Sequence, residues 1–253
     1  MTIVIALSCS DGVVMASDSQ ATEQHAGVRW NVQKIFQLSD RGVWGGTGDT
    51  QTIGEIDRAL QAVRPQMDGG ADLTQLLPFV IRPILMRRYA NFIQVPGSQP
   101  TSPATATLAC GYDAARGGWI IEVDQNCVSS DYGSRGFHAV GSAAGFALLG
   151  SALLDHFRPT ERPLDQGRLI AYRVIDAAIQ TSMFGVGGDI QMWYVDAGGV
   201  HQVDEDEMAE IKGNVGGWQE EEGKLLDRIF GGEPPLSETA TPPPPETHPD
   251  TVG

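Results

Sequence analysis

Apolar and polar positions follow two different periods along this chain. Residues 2–9, Thr-Ile-Val-Ile-Ala-Leu-Ser-Cys, form an almost continuous β-branched and aliphatic run, and residues 13–16, Val-Val-Met-Ala, repeat it. Ser10-Asp11-Gly12 between them is a turn signal, so the first eighteen residues read as a hairpin. A second strand pair is predicted at 33–39 and 42–46, joined at Asp40-Arg41. The period then changes. Ile53, Ile56, Leu60 and Val63 recur at helical spacing from Asp49 to about Arg64. Asp49 stands where a helix start prefers an acid or a cap. A second helix is predicted over 72–93, with Pro78 and Pro83 expected to kink or delay it. Strands return at 104–112, 118–124 and 137–140. Two helices follow at 142–157 and 164–182, the latter with Leu169, Tyr172, Ile175 and Ile179 on one side. A last strand pair, 189–195 and 199–203, precedes short acidic helices.

The order is strands, a helix pair, strands, a helix pair, strands. Adjacent helix pairs do not suit the alternating units of a parallel sheet. They suit an α+β fold: a four-layer α/β/β/α sandwich of two antiparallel sheets flanked by helix pairs. The expected organisation is a main domain over 1–203, an acidic helical extension over 204–232 and a tail over 233–253.

Composition and charge narrow the function classes. The 253 residues carry a formal charge of −15, which argues against a nucleic-acid binder. Residues 204–253 hold thirteen acids against Lys212, Lys224 and Arg228. The proline-rich end of that stretch has too little apolar surface to offset its ordering entropy and reads as disordered, either a solubilising tail or a docking segment. No apolar run approaches the length of a membrane span, and no basic-then-apolar leader opens the chain, so a cytoplasmic location without membrane association is expected. Cys9, Cys110 and Cys127 match neither a metal spacing nor a disulfide framework. The five histidines are scattered singly. No G-x-S-x-G elbow, P-loop or HExxH motif is present. No metal or organic cofactor is implied.

The remaining chemistry lies at the amino terminus. A small residue after Met1 normally allows that methionine to be removed, leaving Thr2 with a free α-amine. Such an amine has an unperturbed pKa of roughly 7.7–8.0. It can take the proton of its own residue's hydroxyl, giving nucleophile and base in one residue. Many proteins begin Met-Thr, so the dipeptide alone says little.

The residues that follow are more specific. The stretch from Thr2 through Ser10-Asp11-Gly12 to Ser17-Asp18-Ser19-Gln20-Ala21-Thr22 resembles the opening of proteasome β-subunits and of the bacterial heat-shock peptidase. Gln33-Lys34-Ile35-Phe36-Gln37-Leu38 looks like that family's lysine strand. Gly45-Gly46-Thr47-Gly48-Asp49-Thr50-Gln51 looks like its glycine-rich turn, and Gly141-Ser142-Ala143 like its Gly-Ser-Gly before the third helix. The likeness covers about residues 2–200 and implies an N-terminal-nucleophile hydrolase fold. It makes Thr2 the nucleophile. Lys34 would be a buried ammonium that lowers the proton affinity of the Thr2 hydroxyl and amine, and Asp18 would pair with Lys34. Gly45 would be the N–H donor to the developing oxyanion. Ser142 would relay protons near the Thr2 amine, cap the third helix, or both. Without the resemblance, Asp18 reads as an acid closing a strand and Gly45 as an ordinary turn glycine. The likeness also implies that Ala21, Val32 and Val43 line the pocket for the side chain before the scissile bond.

One departure stands out. The family's Asp and Ser before a Gly-Gly pair fall on Met183 and Val186, ahead of Gly187-Gly188. This places the chain outside the standard β-subunits and nearer divergent bacterial members such as the group called Anbu. Three readings follow. The first is a threonine endopeptidase acting on peptides or unfolded proteins within a homo-oligomeric ring or related assembly, with any unfoldase partner unknown. The second is a non-catalytic structural subunit; such subunits carry an N-terminal extension, whereas here only Met1 precedes Thr2. The third is an amidase on small molecules with the same site chemistry.

Overall fold

The computed structural model describes residues 2–22, 28–90, 105–181 and 185–231. The chain divides into two units, Met1–Lys212 and Gly213–Gly253. The elements run β1 (Ile3–Ser8), β2 (Gly12–Asp18), β3 (Gln20–Thr22), β4 (Arg29–Asn31), β5 (Ile35–Ser39), β6 (Gly42–Thr47), α1 (Thr50–Asp68) and α2 (Leu73–Ala90). Then come β7 (Ala106–Asp113), β8 (Gly117–Val123), β9 (Ser129–Asp131), β10 (Phe137–Gly141), α3 (Ala144–Leu154), α4 (Leu164–Gln180), β11 (Ile190–Asp196), β12 (Gly199–Gln202) and α5 (Glu205–Phe230).

Two five-stranded antiparallel sheets form the centre, in the orders β10-β1-β2-β11-β12 and β5-β6-β7-β8-β9. The unbroken apolar runs of β1 and β2 have a direct cause: every residue of both strands is buried, so both faces must be apolar. One face, with Val4, Ala6, Val13 and Met15, meets Ile35, Val43, Leu108, Cys110 and Ile120 of the other sheet. Against the opposite face pack α3 and α4. The second sheet turns Leu38, Trp44, Ala109 and Ile121 outward onto Ile56 and Leu60 of α1 and Leu77 and Ile81 of α2. The result is the α/β/β/α sandwich of an α+β fold, with a small β3–β4 hairpin beside it.

Several elements differ from expectation. Asp49 does cap α1, accepting from Thr52 N at 3.0 Å, but the helix continues through Pro65 to Asp68. In α2 the helix likewise runs unbroken through Pro78 and Pro83 up to Ala90; the expected residues 91–93 lie outside those described. A single 26-residue α5 replaces the short acidic helices. Its glycines at 213, 216, 217 and 223 lower local helix propensity by roughly 1 kcal/mol each, which is why a long helix was not legible there. The proline-rich tail, 233–253, lies outside the described residues. Among the described residues, no helix is long and apolar enough to cross a membrane.

Candidate active site

Pairing of β1 with β10 sets Ile3 opposite Gly141, so Thr2 and Ser142 stand side by side at the ends of the two strands. The Ser142 hydroxyl lies 3.3 Å from Thr2 N and 3.4 Å from Thr2 O. Gly141 makes this approach possible. Its φ is +112°, and a Cβ there would collide with the Thr2 carbonyl. Ser142 does not cap the third helix: α3 starts at Ala144, behind Ala143, without a side-chain cap.

Asp18 closes β2 and is fully buried. Its Oδ1 accepts from Lys34 Nζ at 2.7 Å and from the backbone N–H of Ile3 at 3.1 Å. Its Oδ2 accepts from the Gly187 N–H at 3.1 Å. One carboxylate therefore ties the lysine to the residue that follows Thr2. Lys34 is 5% exposed and also donates to the Gln20 carbonyl at 2.8 Å. Burial lowers its pKa from the ordinary lysine value, an effect that the Asp18 carboxylate opposes. No acceptor for the third ammonium proton occurs among the described residues.

Gly45 lies on β6 opposite Ile35, next to the lysine's backbone. A Cβ on Gly45 would sit 2.8 Å from Val4 Cγ1 and 3.0 Å from Lys34 O. Here the close approach, rather than backbone conformation, demands glycine. Gly45→Ala is expected to destabilise the fold by about 1–3 kcal/mol, the usual range for an overpacked core. A thermal melt identical to that of the unmodified chain would contradict this packing.

The three expected pocket residues are not equivalent. Ala21, half-buried on β3, faces Trp30 of β4, which is 43% exposed. Val32 is half-buried and its N–H bonds to Ser19 O at 2.8 Å, extending the same hairpin. Val43 has no exposure and is enclosed in the core between the sheets. Strand alternation explains this: Val43 lies two residues from Gly45 and so faces the same interior side.

The position of the family's Asp, Met183, lies outside the described residues. Val186, at the Ser position, is buried. The glycines on either side, Gly185 and Gly187, hold Asp18 and Gln20 instead. Besides the Gly187 bond to Asp18, Gln20 N donates to Gly187 O at 2.9 Å and Gln20 Nε2 donates to Gly185 O at 2.9 Å. Sequence reading missed Gln20 as a brace, although its place inside Ser-Gln-Ala-Thr was visible. It also missed Gln191, whose one signal is an amide between Ile190 and Met192 at the start of a strand that stays largely apolar to Val195.

The cysteines offer no competing nucleophile. All three are buried free thiols. Burial pushes Cys9 up to about 12, raises Cys110 further and raises Cys127, against the thiolate that nucleophilic attack needs.

Comparison with known proteins gives matches to one family. The family model described as "Proteasome subunit" matches residues 2–68, the stretch that carries Thr2, Asp18, Lys34 and Gly45. The chain is 26% identical over 212 residues to "Proteasome subunit beta 1" of Thermococcus kodakarensis, covering 83% of this chain and 96% of the relative. It is 25% identical over 215 residues to "Proteasome subunit beta" of Methanococcus maripaludis strain C5, covering 84% and 90%. A protein of the same name from Streptosporangium roseum is 25% identical over 221 residues, covering 82% and 73%. Together with the α+β sandwich, these matches make the chain similar to proteasome β-subunits over most of its length.

Proposed function

We propose that the chain is a threonine-type endopeptidase that cleaves peptide bonds through an acyl ester on Thr2, once removal of Met1 has freed the Thr2 amine. The observation that carries this reading is the continuous set of contacts Ser142–Thr2–Ile3–Asp18–Lys34, with the last two groups buried. The Thr2 hydroxyl attacks the scissile carbonyl and its α-amine takes the hydroxyl proton. The Lys34 ammonium keeps that amine unprotonated near neutral pH and stabilises the attacking oxygen's negative charge. Gly45 N–H donates to the tetrahedral oxyanion. As the intermediate collapses, the amine returns its proton to the leaving nitrogen, with Ser142 in the relay. Water then hydrolyses the ester with the amine as base.

The same scheme sets a pH dependence. The acid limb of kcat/KM follows the Thr2 amine and is expected below roughly 7.7–8.0, the ordinary range for an α-amine. The alkaline limb follows Lys34 and is expected below 10.5, because burial lowers that lysine. Limbs at or above both values would contradict the assigned charges.

With Val43 enclosed, the proposed wall for a substrate side chain is Ala21 and Val32, with the exposed Trp30 paired opposite Ala21. It cannot compensate the desolvation of an Arg or Asp side chain. It can bury an aliphatic or aromatic group, for roughly 1.5–3 kcal/mol. Cleavage is therefore expected after Leu, Phe or Tyr. Fluorogenic tripeptides differing only at that position test it, and a clear preference for Arg or Asp would overturn the pocket. Self-association is part of the proposal, because the relatives are named as subunits. Native mass spectrometry reads it directly; a monomer would favour the small-molecule amidase reading.

A further inference from the structure

Lys34 reaches Asp18 from a short stretch of chain between two strands that belong to different sheets. β4 ends at Asn31 in the small hairpin, and β5 begins at Ile35 in the second five-stranded sheet. Residues 32–34 cross from one to the other: the Val32 N–H still bonds Ser19 O, whereas Val32 O and Lys34 N take their partner from a side chain. Backbone groups left unpaired in a buried site are strongly unfavourable. Gln191, on β11 of the first sheet, supplies both partners. Its Oε1 accepts from Lys34 N at 2.8 Å, and its Nε2 donates to Val32 O at 2.7 Å. A carboxamide has the donor and acceptor layout of a peptide group, so this side chain replaces one rung of a ladder.

Lys34 is thus held at both ends. Gln191 fixes its backbone, while Asp18 and the Gln20 carbonyl fix its ammonium. We propose that Gln191 is the positioning residue for Lys34, setting where the ammonium lies relative to Asp18 and Thr2. The inference rests on the peptidase reading above for its kinetic consequence, but not for its geometry. The lysine acts on Thr2 by charge and proximity. A displacement of about 1 Å in such a group reduces turnover by roughly 100-fold while leaving substrate binding to other residues.

The test uses the full chain carrying Gln191→Met, which keeps length and apolar packing but loses both hydrogen bonds. The chain has three lysines, Lys34, Lys212 and Lys224, so ¹³C-lysine NMR resolves Lys34, assigned by its loss in Lys34→Met. In Gln191→Met the Lys34 titration is expected to move up towards the ordinary lysine value as the ammonium leaves its buried place. Peptide hydrolysis is expected to lose about 100-fold in kcat with KM within about threefold. The acid limb of kcat/KM is expected to move up as well, since the Thr2 amine loses its neighbouring charge. A merely structural role would lower the yield of folded protein and leave these three readouts in place. If Gln191→Met fails to fold, Gln191→Glu serves, because it keeps the acceptor for Lys34 N and loses the donor to Val32 O; about a tenfold loss in kcat is expected.

A folded Gln191→Met chain with wild-type Lys34 titration, kcat and KM overturns the proposal, as does undiminished kcat in Gln191→Glu. Full hydrolysis in Thr2→Ala would instead overturn the peptidase reading, and the Lys34 titration, which needs no turnover, would still decide the role of Gln191.

Discussion

Replacing Thr2 with alanine is expected to lower peptide hydrolysis by at least about 10⁴-fold, the scale seen when a nucleophile that works as part of a unit is removed. The fold should survive. Thr2 lies just ahead of β1 and is half-buried, so losing one hydroxyl and one methyl there changes stability by about 1 kcal/mol or less. Thr2→Ser should keep part of the activity, because the amine and hydroxyl remain on one residue. Steady-state hydrolysis, paired with circular dichroism melts, separates the two effects. Full activity in the alanine variant would remove Thr2 from the mechanism.

The second large effect is expected at the buried ion pair. Lys34→Ala strands the Asp18 carboxylate, which is fully buried, and leaves a cavity. Breaking such a pair from one side costs about 3–5 kcal/mol, and the missing methylenes add a packing loss. Lys34→Met fills the space and should be less destabilised than Lys34→Ala, though equally inactive. The double variant Lys34→Met with Asp18→Asn removes both charges and should recover much of the stability without recovering activity. That pattern, stability restored and turnover not, distinguishes an ammonium needed for chemistry from one needed only for folding. Thermal melts equal to wild type in both single lysine variants would contradict the burial of the pair.

The sandwich was legible because its central strands are extreme in composition. β1 and β2 are apolar on both faces, and paired helices between strand blocks leave few other layer orders. The contacts among Thr2, Asp18, Lys34 and Ser142 were legible through resemblance, since strand pairing alone could not reveal which ends meet. The β3–β4 hairpin was not, because Gln-Ala-Thr and Arg-Trp-Asn are short and polar or exposed, without an apolar alternation. Gln191 could not be found from spacing at all: its partners, Lys34 and Val32, are 157 and 159 residues away. Val43, expected in the pocket through resemblance, is enclosed between the sheets, because its alternation with Gly45 puts it on the interior face of β6.

The most direct measurement is the intact mass of the purified chain before and after treatment with a peptide α′,β′-epoxyketone, a reagent whose stable ring product requires a hydroxyl and a free α-amine on the same residue. The expected result is a chain lighter by one methionine that gains a single equivalent of reagent, mapped to Thr2 and absent in Thr2→Ala. A chain that keeps Met1 and stays unlabelled, or that carries the label at any other residue, would contradict Thr2 as the catalytic nucleophile.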